Sequence, residues 1–289
     1  MTKNIFFISE VSSNHSQDIE RALKFIDQSV SVGCSAVKFQ LFKIEKLFSK
    51  EALDDNPETI NRKKWELPLE FLPILSKHCS KRKIQFSCTP FYIEAVDELN
   101  DYVDFFKIAS YELLWDDLLI ACAKTKKPLI LSTGMATMDE IEHAVAVIRE
   151  NGCQKLTLLH CTSAYPTPHN EANLAAIKTL SKKFNCSVGW SDHTVNPGVI
   201  NRAINKWGAE VIEFHMDLEG EGDEFKSGHC WLPNQIVHVI KQAKDGLSAD
   251  GDGIKSPVES EKSDRMWRAD PSDGLRPLKS MRNKLSKKL

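Results

Sequence analysis

The stretch "PLILSTGMATMDEIEHAVAVIRENGCQKLTLLHCTS", residues Pro128–Ser163, decides the fold. Its two ends, "PLILSTG" and "LTLLHCTS", are short β-rich apolar runs, and "MDEIEHAVAVIREN" between them spaces its apolar residues onto one helical face. Gly152 follows the helical run and precedes the second strand, as a C-terminal stop should. Strand, helix and strand in this order form a parallel βαβ unit.

The same unit recurs outward in both directions. Upstream lie "NIFFISEV", "SAVKFQ", "IQFSCTP" and "VDFFKIAS", and downstream "CSVGWSD" and "AEVIEFH". Ile19, Ala22, Leu23, Ile26 and Val30 make one helical face, and "NPGVINRAINKWG" makes another. Gly33 and Gly208 repeat the stop seen at Gly152. Eight strands with helical segments between them predict an α/β chain folded as a single (β/α)8 TIM barrel, over residues 1–250, with 251–289 as a C-terminal tail. A doubly wound open sheet is the alternative reading.

Composition allows this and narrows the functions. A chain of 289 residues with 42% hydrophobic content can bury a barrel-sized core. A formal net charge of −2 gives no field for nucleic acid or an anionic membrane, although the tail "KSMRNKLSKKL" is locally basic and reads as a solvated end. No run of about 18 uncharged apolar residues occurs, and "MTKNIFFISEVSSNH" passes directly into a strand, so a soluble, cytoplasmic protein is expected. The eight cysteines form no C-x-x-C pair and read as reduced, core-packed thiols.

In a barrel of this type the C-terminal strand ends converge on one mouth, where active sites form. Those ends here carry Glu10, Asn14 and His15; Lys38 and Gln40; Ser87 and Thr89; Lys107, Ser110 and Glu112; Ser132 and Thr133. The last three add His160, Thr162, Ser163 and Tyr165; Ser191, Asp192 and His193; Glu213 and His215. Singly, each reads as readily as a solvated loop residue. Lys38 in "AVKFQ" and Lys107 in "FFKIAS" stand apart, because the alternation points them into the barrel and a buried ammonium needs an anion. That anion is either a substrate phosphate or carboxylate, or an internal partner, Glu10 or Glu112. His193 and His215 end consecutive strands, so their imidazoles can meet and suit a divalent metal such as Mn²⁺, Zn²⁺ or Fe²⁺. The alternative is a hydrogen-bonded core histidine.

Taken together, "SEVSSNH", "AVKFQLFKIEKL", "FSCTPF", "FFKIASYE", "LILSTGMAT", "LLHCTSAYPTP", "VGWSDHT", "VIEFH" and "GDGIKSPVESE" resemble, in order, the sialic acid synthase family, over about residues 4 to 260. Its members are TIM barrels that condense phosphoenolpyruvate with an N-acylated amino sugar to give 2-keto-3-deoxy sugar acids. The resemblance implies Mn²⁺ on His193 and His215. It implies phosphoenolpyruvate contacts at Lys38, Thr89, Lys107, Ser110, Ser132, Ser163 and Ser191, and sugar contacts at Gln40, Glu112 and Tyr165. Glu10 takes the acid/base role, and a homodimer is implied.

Two departures accompany it. Family members usually continue into an antifreeze-like domain that lends an arginine to the partner's sugar site; the sequence ends at Leu289 without it, leaving Arg265 or Arg268 as stand-ins. After His215, "MDLEGEGDEFKSGHCWLP" replaces the usual sugar-binding stretch, with Asp223, Glu224, Lys226 and His229 as candidates. Two other readings follow: a non-catalytic barrel that binds a sugar or a partner, and a metal-dependent aldolase that uses pyruvate.

Overall fold

The computed structural model describes residues 5–285. Eight parallel strands run in chain order: β1 (Phe6–Glu10), β2 (Ala36–Leu41), β3 (Gln85–Pro90), β4 (Phe105–Ile108), β5 (Leu129–Ser132), β6 (Leu156–His160), β7 (Ser187–Asp192) and β8 (Val211–Met216). β8 also pairs in parallel with β1, Phe6 opposite Val211 through Glu10 opposite His215. That pairing closes the sheet and rules out the open-sheet alternative.

One helix follows each strand: α1 (Ile19–Val32), α2 (Leu72–Arg82), α3 (Glu94–Asn100), α4 (Asp116–Lys124), α5 (Met138–Glu150), α6 (Ala175–Phe184), α7 (Pro197–Asn205) and α8 (Pro233–Ala249). The local chemistry explains their bounds. Asp18 caps α1 by accepting from the amides of Glu20 and Arg21, and Gly33 ends it at φ +91°, a left-handed conformation that glycine adopts without a Cβ penalty. Thr137 and Glu140 cap α5 reciprocally, and the helix buries Ile141, Ala144, Val145 and Ile148 against the strands.

The core has two parts, as strand alternation requires. Outward-facing residues such as Phe7, Val37, Phe86, Phe106, Leu131, Leu158 and Ile212 pack under the helices. Inward-facing Ile8, Ala36, Phe105, Ile130, Leu159 and Val211 form a separate apolar layer inside the barrel. Each large side chain buried in this way contributes about 1.5–3 kcal/mol. The interior is therefore packed below and has room only above.

Two features lie outside the sequence expectation. A two-residue strand, β9 (Cys230–Trp231), pairs with β8 at His215 and Met216, just beyond the register in which β7 pairs with it. Trp231 Nε1 and Trp190 Nε1 each donate to the buried Asp192 carboxylate at 3.0 Å, which ties β9 to β7. The loop after β2 also contains helical turns at Ile44–Leu47 and Lys50–Asp55, then a 3-10 stretch at Pro57–Trp65.

The chain divides into two compact units, Met1–Leu247 and Ser248–Leu289. The second unit, mostly exposed, carries secondary structure of its own. It contains 3-10 turns at Glu259–Glu261 and Asp264–Trp267, then a helix at Lys279–Leu285, whose Arg282 pairs with Asp273 at 2.8 Å. Residues 286–289 of the basic tail lie outside the described residues. Among the described residues no helix is long and apolar enough to cross a membrane.

Candidate active site

The inward layer changes character two residues further along each strand. Above Ile8, Ala36, Phe105, Ile130, Leu159 and Val211 stand, on the same face, Glu10, Lys38, Lys107, Ser132, Cys161 and Glu213. All six line one cavity of about 810 Å³ at the C-terminal mouth. The apolar layer is its floor.

The lysines point inward as the alternation predicts, with side-chain exposures of 4% for Lys38 and 2% for Lys107. Their anions are internal, and Glu112 is not among them. Lys38 pairs with Glu10, and both ammonium groups share the Glu213 carboxylate, at 3.8 Å from Lys38 and 3.7 Å from Lys107. Lys38 also donates to Thr89 Oγ1 at 3.3 Å, and Lys107 to Ser132 Oγ at 2.7 Å. Ser191 Oγ donates to Glu213 at 3.0 Å, and Gln40 Nε2 to Glu10 at 3.3 Å. Burial pushes Lys38 down to about 8, Glu213 acting in the opposite sense. Burial works to raise the Glu213 carboxyl, but Lys107 and Lys38 overcome it and hold the group below the ordinary carboxylate range.

On the adjoining wall the Gly134 amide donates to Ser110 Oγ at 2.9 Å. A Cβ on Gly134 would overlap Ser163 Oγ and fall 2.8 Å from Ser110 Oγ, so glycine is required here by close approach. Ser163 does not line the cavity; its hydroxyl is buried beside Gly134 without a hydrogen-bond partner. Glu112 does line it, with Oε2 unpartnered, and burial raises its carboxyl to about 7 against the opposing influence of Lys107. A carboxyl poised there can hold or release a proton near neutrality.

The third wall is built from histidines. The His193 and His215 rings lie 5.5 Å apart between centroids, with Tyr165 packed 4.2 Å from His193. His193 Nδ1 donates to the Thr162 carbonyl at 2.9 Å, leaving Nε2 for another partner. Burial, then repulsion from His215, push the His193 imidazole down to about 3, so it is neutral. His215 Nδ1 donates to Glu224 Oε2 at 2.8 Å, and His229 stands 5.0 Å from His215 between ring centroids. Burial opposes the Glu224 charge, but the bonds from His215 and His229 hold its carboxyl well below the usual range.

Of the thirteen residues to which the family resemblance assigns roles, twelve thus line one cavity, Ser163 being the exception. His160 is a core histidine: it bonds the Ala172 carbonyl and packs on Trp190. Sequence reasoning overlooked Glu213 as the shared counter-anion and Gly134 as a point of close approach. It named Glu224 and His229 only as sugar contacts, whereas both stand against the His215 imidazole. The signal for Glu213 was available, since it sits two residues before His215 on the same inward face.

Residues 25–255 match the family model described as the NeuB family. The chain belongs to the NeuB family. It is 38% identical, over 90% of its length and 81% of the relative, to the N,N'-diacetyllegionaminic acid synthase of Campylobacter jejuni. It is 31% identical, over 84% of its length and 68% of the relative, to the N-acetylneuraminate-9-phosphate synthase of Drosophila melanogaster. The N-acetylneuraminic acid synthetase of Leptospira borgpetersenii, solved with citrate, superposes with a TM-score of 0.80 at 30% identity, over 91% of this chain and 90% of that one. The motif resemblance therefore reflects membership, and this NeuB-family chain is an enzyme of the sialic acid synthase type.

Proposed function

We propose that this NeuB-family barrel condenses phosphoenolpyruvate with the open-chain form of an N-acylated amino sugar, giving a 2-keto-3-deoxy sugar acid and phosphate. One observation carries the reading: two buried ammonium groups and a set of hydroxyls face the same cavity as paired imidazoles. The first set suits a dianionic phosphate with a carboxylate, and the second suits an aldehyde that must be made electrophilic.

The residues divide the work by chemistry. Lys107 with Ser132 and Ser110, and Lys38 with Thr89 and Ser191, neutralise and orient phosphoenolpyruvate, whose negative charge would compete with Glu213 and Glu10 for the ammonium groups. Gln40, Glu112 and Tyr165, which line the same cavity, are assigned to the acceptor sugar. C3 of phosphoenolpyruvate bonds to the aldehyde carbon, water adds at C2, and the C2–O bond to phosphate breaks. The water loses two protons as the keto group forms; one goes to the aldehyde oxygen and the other to the departing phosphate. Glu10, held by the Ser12 amide at 2.7 Å and by Gln40, is placed to move one of these protons.

The donor set fits a divalent cation: neutral imidazole at His193 with Nε2 free, a second imidazole at His215, and carboxylate oxygen close by. Held there, a cation such as Mn²⁺ supplies Lewis-acid polarisation of the acceptor's aldehyde oxygen. A cytoplasmic homodimer is part of the same reading. The test is phosphate release from phosphoenolpyruvate with Mn²⁺ and a panel of N-acylated hexosamines and aldoses. Release with an N-acylated sugar is expected. Silence across the panel, or turnover of pyruvate in place of phosphoenolpyruvate, would sink the proposal.

A further inference from the structure

The loop after β8 is folded against the site and ends in a strand. The Asp217 carboxylate, fully buried, accepts from the amides of Leu218 at 2.9 Å, Gly220 at 3.0 Å and Gly222 at 3.1 Å, and pairs with Arg21 at 3.2 Å. The helical turn Asp223–Lys226 then sets Glu224 against His215, where Ser13 Oγ also donates to it at 3.1 Å. Gly228, at φ +91°, turns the chain into β9, whose pairing with β8 brings His229 alongside. Three independent local devices thus converge on one point.

At that point the donor atoms of His215, Glu224, His229 and Cys230 all lie within 4.8 Å of one another. His229 is 6% exposed, and its Nδ1 is buried without a hydrogen-bond partner. His229 Nε2 stands 3.5 Å from the same Glu224 oxygen that accepts from His215 Nδ1, so both rings turn a nitrogen toward one carboxylate. Of these four, His215, Glu224 and His229 also line the cavity and Cys230 does not, and two imidazoles with one carboxylate form a common donor set for a divalent transition metal.

We propose that Glu224 and His229 are ligands of the cation, so that it is held by His193, His215, His229 and the Glu224 carboxylate rather than by the two strand-end histidines alone. The loop after β8 is then a clamp on the metal, and its length and composition are set by coordination. The inference adds to the two-histidine reading, and it stands or falls without turnover.

The experiment uses the full chain, stripped of metal, and titrates Mn²⁺ while the free ion is followed by electron paramagnetic resonance. His229→Ala and Glu224→Gln are each expected to weaken Mn²⁺ binding by about 10- to 100-fold, the loss typical even for groups that only support ligands. Their circular dichroism and melting in chelator should match the parent. Pulsed resonance on the unsubstituted protein counts coordinated imidazoles, so a variant that fails to fold does not decide the matter. Three imidazoles are expected; two, or unaltered affinity in folded His229→Ala, would overturn the proposal. Loss of binding without phosphate release in any variant or the parent would leave the metal clamp standing and remove only the proposed reaction.

Discussion

Replacing Glu213 with glutamine removes one charge that two buried lysines share, at nearly constant volume. Lys38 and Lys107, at 3.8 and 3.7 Å from the carboxylate, are 4% and 2% exposed, so water cannot take over as counter-anion. Removing one partner of such a pair costs about 3–5 kcal/mol. The lower end, about 3 kcal/mol, is expected because the amide carbonyl still accepts from Ser191 and because Glu10 remains beside Lys38. Unfolding entropy of about 2.1 cal/mol/K per residue over 289 residues gives about 0.6 kcal/mol/K, so melting should fall by about 5 °C. The loss must also depend on pH. Lys38 has a folded value near 8 against an ordinary 10.5, so the unfolded chain binds its proton more tightly between the two. Its contribution is complete above about 10.5 and is lost as pH falls through about 8. Without Glu213 the folded value drops further, so the variant's deficit should be large at pH 7 and narrow toward pH 10. Denaturant unfolding at both pH values measures it. A deficit under about 0.5 kcal/mol at pH 7, or an equal deficit at both, would refute the shared-counter-anion argument.

Other expectations rest on separate contacts. Lys107→Met should raise the KM for phosphoenolpyruvate at least about 30-fold, since removing one buried charged partner costs at least about 2 kcal/mol, with phosphate release as the assay. Gly134→Ala should cost about 1–3 kcal/mol through overlap with Ser163 Oγ, and adding Ser163→Ala should recover most of it in thermal melts. Glu112, held at about 7 by burial against an ordinary 4.5, gives stability that is complete below about 4.5 and lost as pH rises through about 7. Relative to the parent, Glu112→Gln should therefore gain up to about 3 kcal/mol between pH 4.5 and pH 8, measured in urea.

The barrel was legible because each unit repeats one pattern: an alternating apolar run, a helical face and a glycine stop, as at Gly33 and Gly152. The site was legible wherever the alternation itself points a residue inward, as with Lys38 and Lys107. What alternation cannot give is which inward residues meet across the barrel. Of the two partners named from the sequence, Glu10 pairs with Lys38 and Glu112, in its 3-10 turn at Ser110–Glu112, pairs with neither lysine, while Glu213, which was not named, reaches both. β9 is too short to show a period, so the route that returns His229 to His215 could not be read. Gly134 carries its information in what is missing from it, which only the position of Ser163 reveals.

The β1–β8 pairing sets Glu10 opposite His215, so the residue proposed to move a proton and a proposed metal ligand meet at the seam that closes the barrel. These residues lie at opposite ends of the folding unit, and non-local pairings of this kind form slowly. Until β8 arrives, β1 presents an unpaired edge of apolar residues, an opening for association with other chains. Until that pairing forms, Glu10, proposed to move a proton, is not set beside His215, a proposed metal ligand. On those proposed roles, chemistry waits for the barrel to close.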